Sequence, residues 1–249
     1  MVDSVNSSII RATKRLELLD CGNATPPSWG FGLAVGRGSS FQGDTGLTLH
    51  IRGTNPESRL QGYGIDITGS SYLRFNGGGF LIENYEGDGM WVGRNSTASI
   101  RNFSDLLIAN IRNNSGDGIC AAQQSSINIE EGMTISNNSQ NGISASDNSD
   151  CRIIGATLEN NNGGIVARRG AYIDVSNSTI QNNGDEESDP AGIFADNAII
   201  NVRDSTISGN DGGDIDLFFR STATMNNLLG VPTITCDGTV VSRGTNICP

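Results

Sequence analysis

Two adjacent arginines, Arg168 and Arg169, precede an aspartate, Asp196, by 28 and 27 residues. A guanidinium presents a planar fork of donors that matches a carboxylate, and a positioned side chain can also abstract a proton. One interpretation is therefore a catalytic set, with Asp196, in which Arg168 or Arg169 clamps a substrate carboxylate or abstracts a proton. The alternative is a structural ion pair between Arg168 and Asp196, which is the simpler interpretation at this spacing.

Aromatic and acidic residues recur after the same position of several short apolar segments. Aromatic faces stack on sugar rings, and carboxylates accept hydrogen bonds from sugar hydroxyls. These residues are predicted to contact a substrate: Asp66, Trp91, Phe194, Asp216 and Phe218. For the exposed aromatic rings the alternative is packing beneath a loop or a cap.

An acidic insertion spans residues 184–190 and supplies four carboxylates: Asp185, Glu186, Glu187 and Asp189. Carboxylate oxygens are the ligands that Ca²⁺ prefers, so this segment is the candidate metal site and Ca²⁺ the one candidate cofactor. The spacing matches no calcium motif, and a solvated loop is the simpler alternative.

Two of the five cysteines, Cys236 and Cys248, lie 12 residues apart in a Gly-rich tail. This spacing favours a disulfide that closes a C-terminal loop. No pair of cysteines has the two-residue spacing that is typical of a zinc site.

These residues are distributed over a repeat. Seven segments begin with a small or acidic residue followed by an apolar one, and the apolar positions are 22 to 29 residues apart. They are 65, 90, 119, 143, 165, 193 and 215. Each repeat contains short alternating runs separated by Asn-rich turns, which predicts three strands per repeat. Such strands pair with their counterparts in the next repeat, so we expect three parallel sheets around one apolar interior.

The strand alternation also predicts which residues face outward. In the first strand of each repeat the apolar residue points inward, and the residue after it therefore points outward. The outward residues form one stripe, which runs from Asp66 to Phe218. Asparagines at the turn before this strand are expected to form a ladder of side-chain amides. They are Asn113, Asn137, Asn161 and Asn182.

The pattern NN-x-GI-x-A … I-x-I … T-I, over roughly residues 60 to 217, resembles the right-handed parallel β-helix repeat of pectate-lyase-like proteins. The resemblance implies an all-β, single-stranded right-handed parallel β-helix of about eight to ten coils, with three parallel sheets and a cap at each end. We expect one domain over residues 1–249, with an N-terminal cap at 1–30, coils at 31–224 and a C-terminal cap at 225–249. Apolar residues between Ser8 and Leu19 favour a short capping helix.

The resemblance implies a polysaccharide ligand on the outer face of the first-strand stack. The chain departs from the motifs of the related enzymes, because His50 is its one histidine and Lys14 its one lysine. The Asp-Pro-His motif of alginate epimerases is also missing, since Asp189-Pro190 is followed by Ala191. If the protein is an enzyme, a lyase or isomerase that acts on acidic polysaccharide fits better than a hydrolase.

Composition limits the possible partners and the cellular location of the protein. A net charge of −11 and a pI near 4.4 argue against nucleic acid as a partner. No apolar run approaches the ~20 residues that a membrane span needs. No secretory signal follows Met1. We expect a secreted or cell-surface protein whose signal peptide has been removed, although a cytosolic protein would begin in the same way. The alternative function is a non-catalytic structural or adhesive module of a larger surface or phage-fibre protein.

Overall fold

Three parallel β-sheets surround one apolar interior. The computed structural model describes residues 2–4, 9–12, 15–19, 31–44, 46–53, 62–101, 109–184, 192–230 and 232–244. Every strand pair in these ranges is parallel and joins a strand to its counterpart in the next coil. The all-β parallel solenoid predicted from the repeat is confirmed.

The first sheet has ten strands, one from each successive coil. They are Val2–Ser4 (β1), Leu33–Val35 (β4), Ile65–Ile67 (β7), Met90–Val92 (β10), Ile119–Ala121 (β13), Asn141–Ala145 (β16), Gly163–Arg168 (β19), Ile193–Asp196 (β22), Ile215–Phe218 (β25) and Ile234–Cys236 (β27).

The second sheet also has ten strands and the third has eight. Those of the second are Ile9–Ala12 (β2), Ser40–Gly43 (β5), Tyr72–Asn76 (β8), Thr97–Arg101 (β11), Ser126–Glu130 (β14), Asp150–Ile154 (β17), Tyr172–Ser176 (β20), Ile199–Arg203 (β23), Thr222–Asn226 (β26) and Val241–Gly244 (β28). Those of the third are Arg15–Leu19 (β3), Thr48–Arg52 (β6), Phe80–Glu83 (β9), Ala109–Arg112 (β12), Thr134–Ser136 (β15), Thr157–Glu159 (β18), Thr179–Gln181 (β21) and Thr206–Ser208 (β24).

An apolar column fixes the register of the first sheet. Its members pair side by side from coil to coil, and each is fully buried. They are Leu33, Ile65, Met90, Ile119, Ile143, Ile165, Ile193 and Ile215. A slip of one residue would turn this whole column to the outside, so burial specifies the register strongly.

A glycine precedes the buried apolar residue in most coils, and close packing explains it. A Cβ atom added at Gly118 would lie 2.5 Å from Cγ2 of Ile135 and 2.7 Å from the carbonyl oxygen of Gly142. The same conflict occurs at Gly64 and Gly89. The chain therefore enters the first sheet at a point where only glycine fits between neighbouring coils.

The predicted asparagine ladder is present, but three of its four positions are shifted by one residue. The side-chain amides that bond along the axis belong to Asn114, Asn138, Asn161, Asn183 and Asn210. Asn113, Asn137 and Asn182 instead have φ between 53° and 57°, the left-handed region that asparagine tolerates at turns. In these three pairs the first asparagine makes the turn and the second points inward.

The ends of the rod differ from the expected caps. The capping helix predicted for Ser8–Leu19 is wrong, because β2 and β3 occupy this segment and pair in register with β5 and β6. At the other end β27 and β28 continue the first and second sheets within the predicted cap. In the N-terminal segment, backbone pairing with the neighbouring coil outweighs the expected helix. No helix in the described ranges is long and apolar enough to cross a membrane.

Candidate functional site

The predicted outward stripe lies in register along the first sheet. Asp66 pairs with Trp91, and four strands farther along Phe194 pairs with Asp216. Between them lie Cys120, Ser144 and Val166 in the same row. The residues proposed as substrate contacts therefore share one face, with the aromatic side chains in two separate groups.

A second row flanks this stripe, two residues before the buried apolar residue of each strand. Its members in consecutive coils are Phe31, Tyr63, Asp88, Asp117 and Asn141. Tyr63 stacks on Trp91 of the next coil, with ring centroids 5.5 Å apart and an interplanar angle of 13°. Phe31 follows at 6.0 Å from Tyr63, so the two rows together form an aromatic platform.

The missing side chain of Gly93 leaves room for the Trp91 ring. A Cβ atom at this glycine would lie 2.7 Å from the indole Nε1. The indole therefore stacks on the phenol of Tyr63 and lies close to Gly93 of its own strand. An aromatic surface fixed in this way loses little conformational entropy when a ligand stacks on it.

Asp88 and Asp117 are joined through the backbone of successive coils. Asp88 Oδ1 accepts a hydrogen bond of 2.8 Å from the backbone N–H of Asp117. Asp117 Oδ1 in turn accepts from the backbone N–H of Asn141 at 2.8 Å and from its side-chain amide at 2.9 Å. Each aspartate thus ties its own coil to the next one.

Burial makes these carboxyls unusually weak acids. Removal from water raises the pKa of Asp88 to about 7, and the nearby charge of Asp117 adds to this effect. Burial likewise raises the pKa of Asp66 to about 6, against the opposing charge of Arg94. Burial raises the pKa of Asp117 as well, although bonds from Asn141 oppose the change. The cluster therefore exchanges protons close to neutral pH.

Tyr63 and Cys120 complete the cluster as neutral groups. Burial raises the pKa of Tyr63, and the negative charges of Asp88 and Asp66 raise it further. Burial also raises the pKa of the Cys120 thiol, which is 9% exposed. A thiol kept protonated is a poor nucleophile, so we assign Cys120 no covalent role.

Arg168 and Arg169 do not contact the partner expected from the sequence. Arg168 lies opposite Asp196 in the sheet register. Its guanidinium carbon is 5.2 Å from the ring centroid of Phe194, which is a cation–π contact, and it forms no ion pair with Asp196 among the described residues. Arg169 instead pairs with Asp147, with Nε 2.7 Å from Oδ1. The structural Arg168–Asp196 ion pair is therefore wrong, because the neighbouring aromatic ring holds the guanidinium.

The second aromatic group lies beside this arginine. The rings of Phe194 and Phe218 are 5.7 Å apart, on adjacent strands of the same face. Asp216 is 8% exposed, so little of its side chain reaches the surface. Arg168 also contributes a positive charge near Asp117, which connects this group to the acidic cluster.

Two predictions rest on residues outside the described ranges. The acidic segment with Asp185, Glu186, Glu187 and Asp189 is one of them, and the Ca²⁺ site there stays a prediction. Elsewhere in the described chain no three His, Cys, Asp or Glu side chains are grouped to hold a metal ion. Cys248 is also outside, so its pairing with Cys236 stays a prediction, while Cys120 and Cys151 are free.

Sequence reasoning missed Tyr63, Asp88 and Asp117. The last two stand in identical Gly-Asp-Gly turns, at 87–89 and 116–118, for which turn geometry alone was a sufficient explanation. Their equal distance from the next buried apolar residue could have shown that they stack. Burial, which shifts their pKa values, follows from side-chain packing and has no counterpart in the sequence.

Comparison with known proteins identifies the architecture. Residues 108–229 match the family described as right handed beta helix region, which confirms the resemblance seen in the repeat. No curated protein matches the chain. Among solved structures the chain is similar to the A-module of the mannuronan C-5 epimerase AlgE6 from Azotobacter vinelandii, at 13% identity over 97% of this chain and 80% of that chain, with a TM-score of 0.45. A likeness of this size carries no argument about activity.

Proposed function

We propose that this right-handed β-helix is a secreted or cell-surface protein that binds acidic polysaccharide along its first sheet and modifies it by proton transfer at a sugar carbon. One observation carries the proposal: the stacked Tyr63–Trp91 pair lies beside carboxyls whose pKa values are about 6 and about 7. Aromatic platforms bind pyranose faces, and groups with a pKa near the working pH are effective proton carriers.

The proposed roles follow from the protonation states. Asp88 is about half ionised near neutral pH, which suits it to act as the base that removes the proton from C5 of a uronate. Tyr63 keeps its proton at that pH, so it is the proposed acid. In an elimination the C5–H electrons form the C4–C5 double bond, the C4–O4 bond breaks, and the Tyr63 hydroxyl gives its proton to O4. Solvent then returns a proton from Asp88 to Tyr63.

Charge on the same surface supports an acidic substrate. Arg168 and Arg94 supply the positive charges near Asp117 and Asp66. A carboxylate neutralised in this way makes the C5 proton more acidic, whether the product is an alkene or the C5 epimer.

The test measures C5 proton abstraction directly. Alginate, pectate and glycosaminoglycans are incubated with the protein in D₂O, with and without Ca²⁺, and deuterium at C5 is followed by NMR together with unsaturated products. We expect exchange or elimination with one of these polymers. Asp88→Asn and Tyr63→Phe should lower the rate by at least ~100-fold. Asp44→Asn, an exposed carboxyl outside the cluster, is the matched control and should leave the rate unchanged.

The rival function is a non-catalytic structural or adhesive module. One observation favours it, because Asp88 and Asp117 already have a structural role as acceptors of backbone N–H groups in the next coil. Binding without deuterium exchange would support this rival. The absence of exchange, elimination and binding over the whole panel would exclude the polysaccharide proposal.

A further inference from the structure

The turn that follows the first-sheet strand is one residue shorter after β22 than in the other described coils. In most of the other described coils two consecutive residues with positive φ make this turn, such as Arg94–Asn95, Gln123–Gln124 and Phe219–Arg220. After β22 only Asn197 has a positive φ, because two residues rather than three separate the buried Ala195 and Ala198. The shortened turn withdraws from the row and leaves space beside the next coil.

That space is an open surface depression of about 650 Å³ near the C-terminal end of the rod. It is lined by Asp196 and Asn197 of the short turn and by Phe219, Arg220 and Thr239 of the next two turns. The lining combines an aromatic face with a carboxylate, an amide, a guanidinium and a hydroxyl.

Phe219 is held in an unfavourable conformation at the edge of this depression. Its ring is 65% exposed, and its φ of 45° is rare for a bulky side chain. Two hydrogen bonds fix the turn: the N–H of Phe219 donates to Asp237 Oδ2 at 2.8 Å, and the N–H of Arg220 donates to Thr239 Oγ1 at 2.9 Å. Strain that the surroundings maintain in this way is typical of functional sites.

The corresponding position is Gly69 in one coil, and in most others it carries a polar side chain of the kind that such turns favour. These polar residues are Arg37, Arg94, Gln123, Asp147 and Arg169. A phenylalanine there buries little apolar surface and contributes little to stability. Its placement therefore points to contact with a ligand.

We propose that this depression binds a neutral pyranose, with Phe219 stacked on the sugar face and Asp196 and Asn197 hydrogen-bonded to its hydroxyls. One carboxylate and one guanidinium balance each other in the lining, so this site has no local net charge that would attract an anionic ligand. The site lies five strand steps from Trp91, or about 24 Å along the rod. It is a second carbohydrate site, separate from the proposed catalytic cluster.

The experiment is a saturation-transfer NMR screen of neutral gluco-, manno- and galacto-oligosaccharides, followed by titration calorimetry of the best ligand. We expect Phe219→Ala to weaken binding by about tenfold or more. Asp196→Asn should also weaken it, because the amide loses one acceptor. Gln123→Ala changes the equivalent turn residue four strands away and is the matched control.

A second variant separates loss of the ring from loss of the turn. Asp237→Asn removes the charged acceptor of the Phe219 N–H and leaves the ring in place, so binding should weaken by a smaller factor. No saturation transfer from any neutral sugar, or an unchanged affinity in Phe219→Ala, would overturn the proposal. Asp88→Asn should retain this binding, and Phe219→Ala should retain any exchange at C5, so the two proposals fail independently.

Discussion

Replacing Asp88 by asparagine should stabilise the protein above neutral pH and leave its stability nearly unchanged below about pH 4. The wild-type carboxyl has a pKa of about 7 in the folded chain, against 3.8 for the same group in water. The folded state therefore binds more protons than the unfolded state between these two values. The stability that this proton provides is present below pH 3.8 and is lost as the pH rises through about 7. Asparagine carries no charge and keeps an oxygen that accepts from the Asp117 N–H.

The size of the effect follows from the shift. A rise of about three pKa units corresponds to about 4 kcal/mol, since each unit is about 1.36 kcal/mol. Partial access of water reduces this value, so we expect a stability difference of about 2–4 kcal/mol between the two proteins above about pH 8. Below about pH 4 the difference should fall to within about 0.5 kcal/mol.

Urea unfolding at several pH values measures this difference, and carbon-detected NMR titration measures the Asp88 pKa directly. Asp44→Asn is the control, because it removes an exposed carboxyl and should shift stability equally at all pH values by less than about 0.5 kcal/mol. A difference between wild type and Asp88→Asn that does not change with pH would refute the reasoning. So would a titration of Asp88 near the pH expected for an exposed aspartate.

Three further changes test the packing around the site and along the rod. Gly93→Ala should displace the Trp91 indole and weaken polysaccharide binding by about tenfold, as measured by calorimetry and indole fluorescence, without unfolding the chain. Asn161→Ala should lower the free energy of unfolding by ~2 kcal/mol, because it leaves buried partners of the ladder unsatisfied. Glu83→Ala should lower the free energy of unfolding by ~1–2 kcal/mol in urea unfolding, since Arg112 loses its charge-assisted hydrogen bonds but stays 41% exposed to water.

Each of these changes has a matched control. Gly238→Ala adds a methyl group where nothing lies within 4 Å, so binding should not change. Gln123→Ala removes an exposed amide, and Glu130→Ala removes a carboxylate whose arginine partner is 3.9 Å away. Each of these two should cost less than about 1 kcal/mol. Equal losses in a variant and its control would contradict the assignment for that pair.

The repeat allowed much of the fold to be predicted from the sequence. Spacing and alternation alone placed Ile65 and Ile193 in one buried column and Asp66 and Trp91 on one outer face. This works because a parallel strand stack repeats the same two-residue period in each coil. Residue type was less informative where two adjacent residues were equally suited to a turn. Asn113 and Asn114 show this, since only the packed coil decides which one points inward.

The site was less predictable because its properties depend on contacts between coils. The sequence placed Arg168 and Asp196 in register, but the position of the Phe194 ring decides which group the guanidinium contacts. Asp88 and Asp117 resembled ordinary turn residues, and their raised pKa values come from burial under neighbouring coils. Such burial depends on side chains 25 to 30 residues away in the chain, which no local pattern records.

Because the coils are equally spaced, the number of coils determines the distance between two surfaces on the rod. Residues 142–163 make up one 22-residue coil between the Tyr63–Trp91 platform and the Phe219 depression, and Gly142 and Gly164 are equivalent positions in it. Deleting that coil, or duplicating it, would change the distance between the two surfaces by one strand spacing of about 4.8 Å and leave the residues of each surface in place. Natural variation in coil number would therefore adjust the length of polymer that such a rod can span without altering either point of contact.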